Sequence, residues 1–313
     1  MSLAFVFPGQ GAQTIGMGRD LATAYPAAQA VFDEVDEALG QKLSALIWDG
    51  DIETLTLTEN AQPALMATSL AAIRALEVEG VSVTRAAFVA GHSLGEYSAL
   101  CAVGALNLSD TARLLRLRGQ AMQSAVPVGE GAMAAVLGLE IEAVEALAAD
   151  AAEGEVCEVA NENDPAQTVV SGSKSAIERV VAMAKERGAK RALPLPVSAP
   201  FHCAMMQPAA EAMAAALEDV AIMEPSVPVV ANVTAEPVRA PDIIRKLLVA
   251  QVAGRVRWRS SVERMAADGV DVFWELGAGK ALTGMIRRIA KEAETRAIGT
   301  AADVPDAVAA LSG

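Results

Sequence analysis

"AAFVAGHSLGEYSALCAVG", residues 86–104, changes character twice. It opens as a short unbroken apolar run, Ala86 to Gly91, the pattern of a central parallel strand buried on both faces. It closes as a polar-studded apolar run from Leu94 to Val103, stopped near Gly104, which is the pattern of a helix. Between the two lies Ser93, flanked by Gly91 and Gly95 and directly preceded by His92. A strand that turns sharply into a helix lifts such a serine out of the sheet. It also sets it at a helix N-terminus, where developing negative charge is stabilised. A G-x-S-x-G string by itself is equally compatible with an inert serine in a glycine-tightened turn. The strand before it and the helix after it favour a nucleophile.

Outward from this segment, strand-like and helical runs alternate, the signature of an α/β fold with a mainly parallel sheet. "LAFVF" (3–7) reads as a first strand rather than a signal peptide and leads into the loop "PGQG". A helix through "GRDLATAY" follows. Residues 63–79 read as an Ala/Leu-rich helix with Pro63 near its start and Gly80 at its end. In the middle, "GAMAAVLGL", "EIEAVEALAADAAE", "EVCEVAN", "QTVVSG", "SAIERVVAMAKERG" and "KRALPLPV" give the order β-α-β-β-α-β, a split ferredoxin-like unit. The expected division is therefore a large domain of residues 1–126 and 197–313, with a subdomain of residues 127–196 inserted. A helix through 205–219, a strand "VPVVANV", helices across 241–267 and a strand "VDVFWEL" complete the reading.

The chain has 313 residues, 53% hydrophobic, with a net charge of −14. That is enough apolar surface for a large core and too negative a charge for a nucleic-acid binder. No apolar run is long enough to span a bilayer. Cys101, Cys157 and Cys203 lack metal-ligand spacing and are odd in number, so neither a disulfide framework nor a zinc site is expected. A reduced, cytoplasmic location fits.

A serine hydroxyl needs a base, and the chain has two histidines, His92 and His202. His92 is adjacent to Ser93 in an extended-to-turn segment, so the two side chains point to different sides. His202, in "VSAPFHCAMM", lies in a loop before a helix, and by elimination it is the base if there is one. No carboxylate is compelled to orient it, so a backbone carbonyl is the alternative. That departure, with the lack of an HGGG-type loop, counts against an ordinary lipase or esterase. In "SDTARLLRLRGQAMQS" (109–124), with Ser109 as N-cap, Leu114, Leu115, Arg118 and Met122 share one stripe. Arg113 and Arg116 fall on other faces. Arg118 is thus a charge on an apolar face, answered either by a structural salt bridge or by a substrate carboxylate held bidentately.

Taken together, "FVFPGQGAQ", "TENAQPAL", "AGHSLGEYSAL", "RLRGQAM", "PVSAPFHCAMM", "ANVTA" and "ELGAGKALTGM" resemble the malonyl-CoA:acyl carrier protein transacylases of type II fatty acid synthesis. The resemblance runs over essentially the whole chain in the family's order. It implies a hydrolase-like α/β core with an inserted ferredoxin-like subdomain. It also implies Ser93 as acylated nucleophile, His202 as base, and backbone N–H groups of Gln10 and Leu94 as oxyanion donors. Arg118 matches the arginine that pairs with the malonyl carboxylate, and Gln62 the glutamine that braces it. Gln251 matches the position whose main-chain carbonyl orients the histidine, and Asn161 a subdomain residue lining the site. For Gln62, Asn161 and Gln251 the simple alternative is surface polarity. Phe201 stands where some members have serine; related domains with Phe there tend to take malonyl rather than methylmalonyl groups. Ala278 replaces a common proline in the glycine turn after "WEL". Neither "GAGKAL" nor "GQGAQT" has the spacing of a nucleotide-binding loop.

The resemblance implies malonyl-CoA and acyl carrier protein as partners, with no metal or redox cofactor, no nucleic acid and no membrane; a monomer is expected. An acidic carrier meeting a chain of net charge −14 needs a local positive surface. "MIRRIAKEAE" offers Arg287, Arg288 and Lys291, with Arg287 and Lys291 four apart on one helical face. Lys190 and Arg191 form a second candidate patch, for the carrier or for the coenzyme A phosphates. Ordinary solvated helix charges are the competing reading. Rival functions are an acyltransferase serving a polyketide synthase, a serine esterase or thioesterase, and a catalytically silent scaffold.

Overall fold

The computed structural model describes residues 1–312. Its strands, in chain order, are β1 Leu3–Phe7, β2 Ala86–Gly91, β3 Gly131–Leu137, β4 Cys157–Asp164, β5 Gln167–Ser173, β6 Arg191–Pro194, β7 Val229–Val230, β8 Pro237–Val238, β9 Val272–Leu276 and β10 Glu294–Ile298. β1 is apolar at every position and buried at every position, as a strand covered by helices on both faces must be. It lies at the centre of a six-stranded sheet of order β10-β9-β1-β2-β7-β8. All neighbours are parallel except β7 and β8, which form an antiparallel edge. The fold is α/β, and the β1–β2 register sets Phe7 opposite Gly91, so the elbow opens at the C-terminal edge of the sheet.

β3 to β6 build a separate four-stranded antiparallel subdomain of order β4-β5-β3-β6. With helices Ile141–Ala152 and Lys174–Met183 between its strands, it has the ferredoxin-like connectivity. Its core is its own: Val136, Val144, Leu147, Val170, Ile177 and Val180 are buried together. It is stitched to the large sheet's side of the molecule by a bridge between Asn161 and Val256. The Val256 amide donates to the Ala160 carbonyl at 2.8 Å, and the Glu162 amide to the Val256 carbonyl at 2.9 Å.

Several local details differ from the sequence reading. The helix expected from Pro63 begins at Thr58 and runs to Val78, taking the proline inside it. The helix Leu108–Ser124 is capped by Asn107, whose Oδ1 accepts from the Asp110 amide at 2.7 Å; Ser109 instead donates to Glu34. "VPVVANV" pairs only at Val229 and Val230, because Asn232 is drawn out of the sheet by side-chain bonds at the elbow. β10 and the helix Asp303–Ser312 were not foreseen, since "ETRAI" interleaves charges as an edge strand tolerates. Among the described residues no helix is long and apolar enough to cross a membrane.

Candidate active site

The elbow exists because two glycines permit it. A Cβ on Gly91 would lie 1.9 Å from the Gly95 carbonyl group, and one on Gly95 would lie 2.2 Å from the Phe7 carbonyl oxygen. Ser93 itself sits at φ 54°, a left-handed conformation that a side chain rarely adopts without being held there. The holding group is Asn232: its Oδ1 accepts from the Ser93 amide at 2.8 Å, and its Nδ2 donates to the Gly91 carbonyl at 2.6 Å.

His202 is also at positive φ, 59°, in the loop after the subdomain. Its Nε2 lies 2.8 Å from Ser93 Oγ, and its Nδ1 lies 2.9 Å from the Gln251 carbonyl and 3.2 Å from that of Gly254. Those two acceptors fix the proton on Nδ1, leaving Nε2 with a lone pair toward the serine hydroxyl. Burial, reinforced by the nearby Arg118 cation, pushes the His202 pKa down to about 3. The ring is therefore neutral and available as a base throughout the physiological range. His92 faces away: its Nε2 is 2.9 Å from Asn163 Oδ1 and its ring packs against Trp258. Burial holds its pKa low as well.

Arg118 is 1% exposed on the helix Leu108–Ser124. Gly119 beside it lets this helix touch the backbone of Glu59, where a Cβ would sit 2.5 Å from the Glu59 Cα. The close crossing brings Gln62 to the guanidinium. Arg118 Nη1 donates to Gln62 Oε1 at 2.8 Å, and Nη2 donates to Gln251 Oε1 at 2.8 Å and to Ser93 Oγ at 3.1 Å. The guanidinium carbon lies 5.7 Å from the centroid of the Tyr97 ring. No carboxylate among the described residues lies within ion-pair distance of Arg118, so the structural salt bridge is not formed. A buried cation held only by amides, a hydroxyl and an aromatic face is still able to take an anion.

These groups open onto one cavity of about 340 Å³, which Gln10, Gln62, Ser93, Leu94, Asn161, Phe201 and His202 also line. The backbone amides of Gln10 and Leu94 have no acceptor within the described residues. Asn161 Oδ1 is likewise buried without a partner. Gln251 stands behind the cavity wall, fully buried. The structure thus gathers every residue singled out for chemistry and substrate.

The docking patch is different. The helix expected to carry it ends at Ile289, because Ala290 leaves the helical region, so Lys291 lies in the following turn and does not share a face with Arg287. Arg288 is committed to Asp164 of β4, at 2.8 and 2.9 Å, and Arg287 Nε donates to Thr295 at 2.8 Å. Lys190 and Arg191 are exposed.

Asn232, Glu96 and Tyr97 were missed as parts of the site. Asn232 lay in plain view in "ANVTA", but nothing in spacing ties it to the elbow. Glu96 carried a readable signal: a carboxylate in the first turn of a helix that is otherwise buried.

A family model for the acyl transferase domain matches residues 4–310. The chain belongs to the acyl transferase domain family. Within it, the malonyl CoA-acyl carrier protein transacylase of Bacillus subtilis is 46% identical over 95% of this chain and 93% of that protein. The crystal structure of acyl-carrier-protein S-malonyltransferase from Bartonella henselae superposes with a TM-score of 0.97 at 53% identity, covering all of both chains. A malonyl-transacylase solved in complex with a type II PKS acyl-carrier protein has a TM-score of 0.96 at 41% identity over 99% of this chain and 100% of that one. As an acyl transferase, this chain has the mixed, mainly parallel sheet and separate antiparallel subdomain of those structures.

Proposed function

We propose that this chain transfers a malonyl group from malonyl-CoA to the phosphopantetheine thiol of acyl carrier protein, in fatty acid synthesis, through an acyl-enzyme on Ser93. The observation that carries the reading is the pairing of a base-contacted serine with a buried, carboxylate-free arginine in one cavity. The first feature supports acyl transfer, and the second supports an acyl group that ends in a carboxylate.

In the first half-reaction His202 Nε2 takes the Ser93 proton as Oγ attacks the thioester carbonyl. The oxyanion of the tetrahedral intermediate is held by the Gln10 and Leu94 amides, the latter at the N-terminus of the helix Gly95–Ala102. Collapse expels coenzyme A, whose sulfur receives the proton from His202. In the second half-reaction the same imidazole takes the carrier thiol's proton, the thiolate attacks the ester, and the proton returns to Ser93 Oγ. Throughout, Arg118 holds the malonyl carboxylate, Gln62 and Gln251 hold Arg118, and the Gln251 carbonyl holds His202 in its tautomer. Asn161 lines the cavity from the subdomain side, and the bulk of Phe201 crowds a branch at the α-carbon. For the acidic carrier, the exposed cations of this segment not paired with a carboxylate are Arg287 and Lys291, with Lys190 and Arg191 as the other patch.

The test is a transfer assay with radiolabelled malonyl-CoA and carrier protein in its holo and apo forms. Label should move to holo carrier only. Release of free malonate at the same rate without carrier would instead mark a thioesterase.

A further inference from the structure

We propose that Glu96 is a positioning residue of this transfer, the single acceptor on which the supports of both Ser93 and His202 converge. The proposal rests on the reading of Ser93 as nucleophile and His202 as base. Glu96 lies in the first turn of the helix that leaves the elbow and is 2% exposed. Its Oε2 accepts from Gln251 Nε2 at 2.8 Å and from the Asn232 amide at 3.1 Å. Asn232 is the residue whose side chain holds the Ser93 amide and the Gly91 carbonyl, and so the strained elbow. Gln251 is the residue whose carbonyl takes His202 Nδ1 and whose Oε1 takes Arg118 Nη2; its Nε2 also donates to the Ser93 carbonyl at 2.9 Å. One carboxylate oxygen therefore sets where the nucleophile's backbone, the base's orienting carbonyl and the carboxylate-binding guanidinium sit relative to one another.

The chemistry of the acceptor fits that role. Two N–H donors from different segments arrive at the same oxygen, and an ionised carboxylate binds them about twice as strongly as a neutral acceptor. A buried carboxylate without an ion pair is costly for the fold, so its retention here points to geometry rather than stability. The groups facing it are Asn232 after β7, Gln251 on the helix Pro241–Ala253, Arg118 on the helix Leu108–Ser124 and its own neighbour Tyr97. Arg118 is the one cation among them, and it acts across the Gln251 amide rather than by contact. Burial pushes the Glu96 pKa up to about 7 against the opposing pull of these donors and Arg118, so its charge changes near neutrality.

The test compares Glu96→Gln and Glu96→Ala with wild type. The rate of Ser93 malonylation is followed by mass, its sulfonylation by phenylmethylsulfonyl fluoride is followed in parallel, and the melting temperature of each variant is recorded. The glutamine keeps an acceptor oxygen without the charge and should slow loading about tenfold; the alanine removes the acceptor and should slow it about a hundredfold. KM for malonyl-CoA should stay within about threefold, because the carboxylate-binding Arg118 keeps its Gln62 support. Sulfonylation should slow in step, and an acid limb near pH 7 in wild-type loading should vanish in Glu96→Gln. Should the alanine variant fail to fold, the glutamine variant decides. Wild-type loading and sulfonylation rates in folded Glu96→Gln, or losses confined to melting temperature, would overturn the proposal while leaving the Ser93 reading intact. Absence of malonylation in the wild-type protein would bring down both.

Discussion

Arg118 Nη2 lies 3.1 Å from Ser93 Oγ, so the cation proposed to bind the malonyl carboxylate and the proposed nucleophile share a hydrogen bond. The hydroxyl accepts from the guanidinium and, 2.8 Å away on its other side, meets His202 Nε2. On the proposed function, substrate recognition and activation are one constellation. Removing Arg118 by substitution to alanine should lower kcat/KM for malonyl-CoA by tenfold or more, since a hydrogen bond to a charged group is worth about 1.5–3 kcal/mol. Acetyl-CoA has no carboxylate to lose and should suffer less. Steady-state kinetics with both acyl donors checks this; equal losses would assign Arg118 a purely structural role.

The elbow makes a prediction about folding. Gly95→Ala places a methyl group 2.2 Å from the Phe7 carbonyl oxygen, and neither backbone can yield without parting β1 from the elbow. Overpacking of this kind costs about 1–3 kcal/mol or more. The variant should show a clearly lowered melting temperature or fail to accumulate as folded protein. A melting temperature equal to wild type would mean that the elbow is far more pliant than drawn here.

These two examples mark what the sequence allowed. The elbow was legible because glycine spacing, a buried-strand pattern and a helix pattern meet at one serine. Arg118 was legible because helical periodicity put a charge on an apolar stripe. His202 came by elimination, which requires only that histidines be few. Asn232 and Glu96 were not legible as partners: they lie 136 positions apart and meet through a backbone amide that no side-chain pattern encodes. The shared helical face of Arg287 and Lys291 was misread for a local reason, a helix that ends two residues before Lys291, and Arg288 for a distant one, its pairing with Asp164 of another sheet.

His202 predicts a pH dependence of stability. Its pKa is about 3 in the folded protein against an ordinary value of 6.5, so the unfolded chain binds a proton that the folded one refuses. Stability from this group is full above pH 6.5 and is lost as pH falls from there toward 3. His202→Gln, which cannot titrate, should show a shallower fall in melting temperature across that window. Parallel curves for variant and wild type would contradict the burial argument.

The exposed cations separate carrier docking from stability. Reversing Arg287 and Lys291 together to glutamate should leave malonyl loading from coenzyme A near wild type and slow transfer to the acidic carrier, with a weaker salt dependence. Reversing Arg288 should act differently, because it leaves the buried Asp164 carboxylate without its cation and lowers the melting temperature. Half-reactions assayed separately over a range of salt, with melting curves, distinguish the two. Unchanged carrier kinetics at low salt would move the docking surface to Lys190 and Arg191.

The central claim is that Ser93 carries the acyl group, and intact-mass spectrometry after brief exposure to malonyl-CoA tests it most directly. The wild-type protein should gain the mass of one malonyl group, located by peptide mapping on Ser93 and discharged on adding holo carrier protein, while folded Ser93→Ala should gain nothing. A malonyl adduct on the alanine variant, or a wild-type adduct that the carrier thiol cannot discharge, would contradict the account.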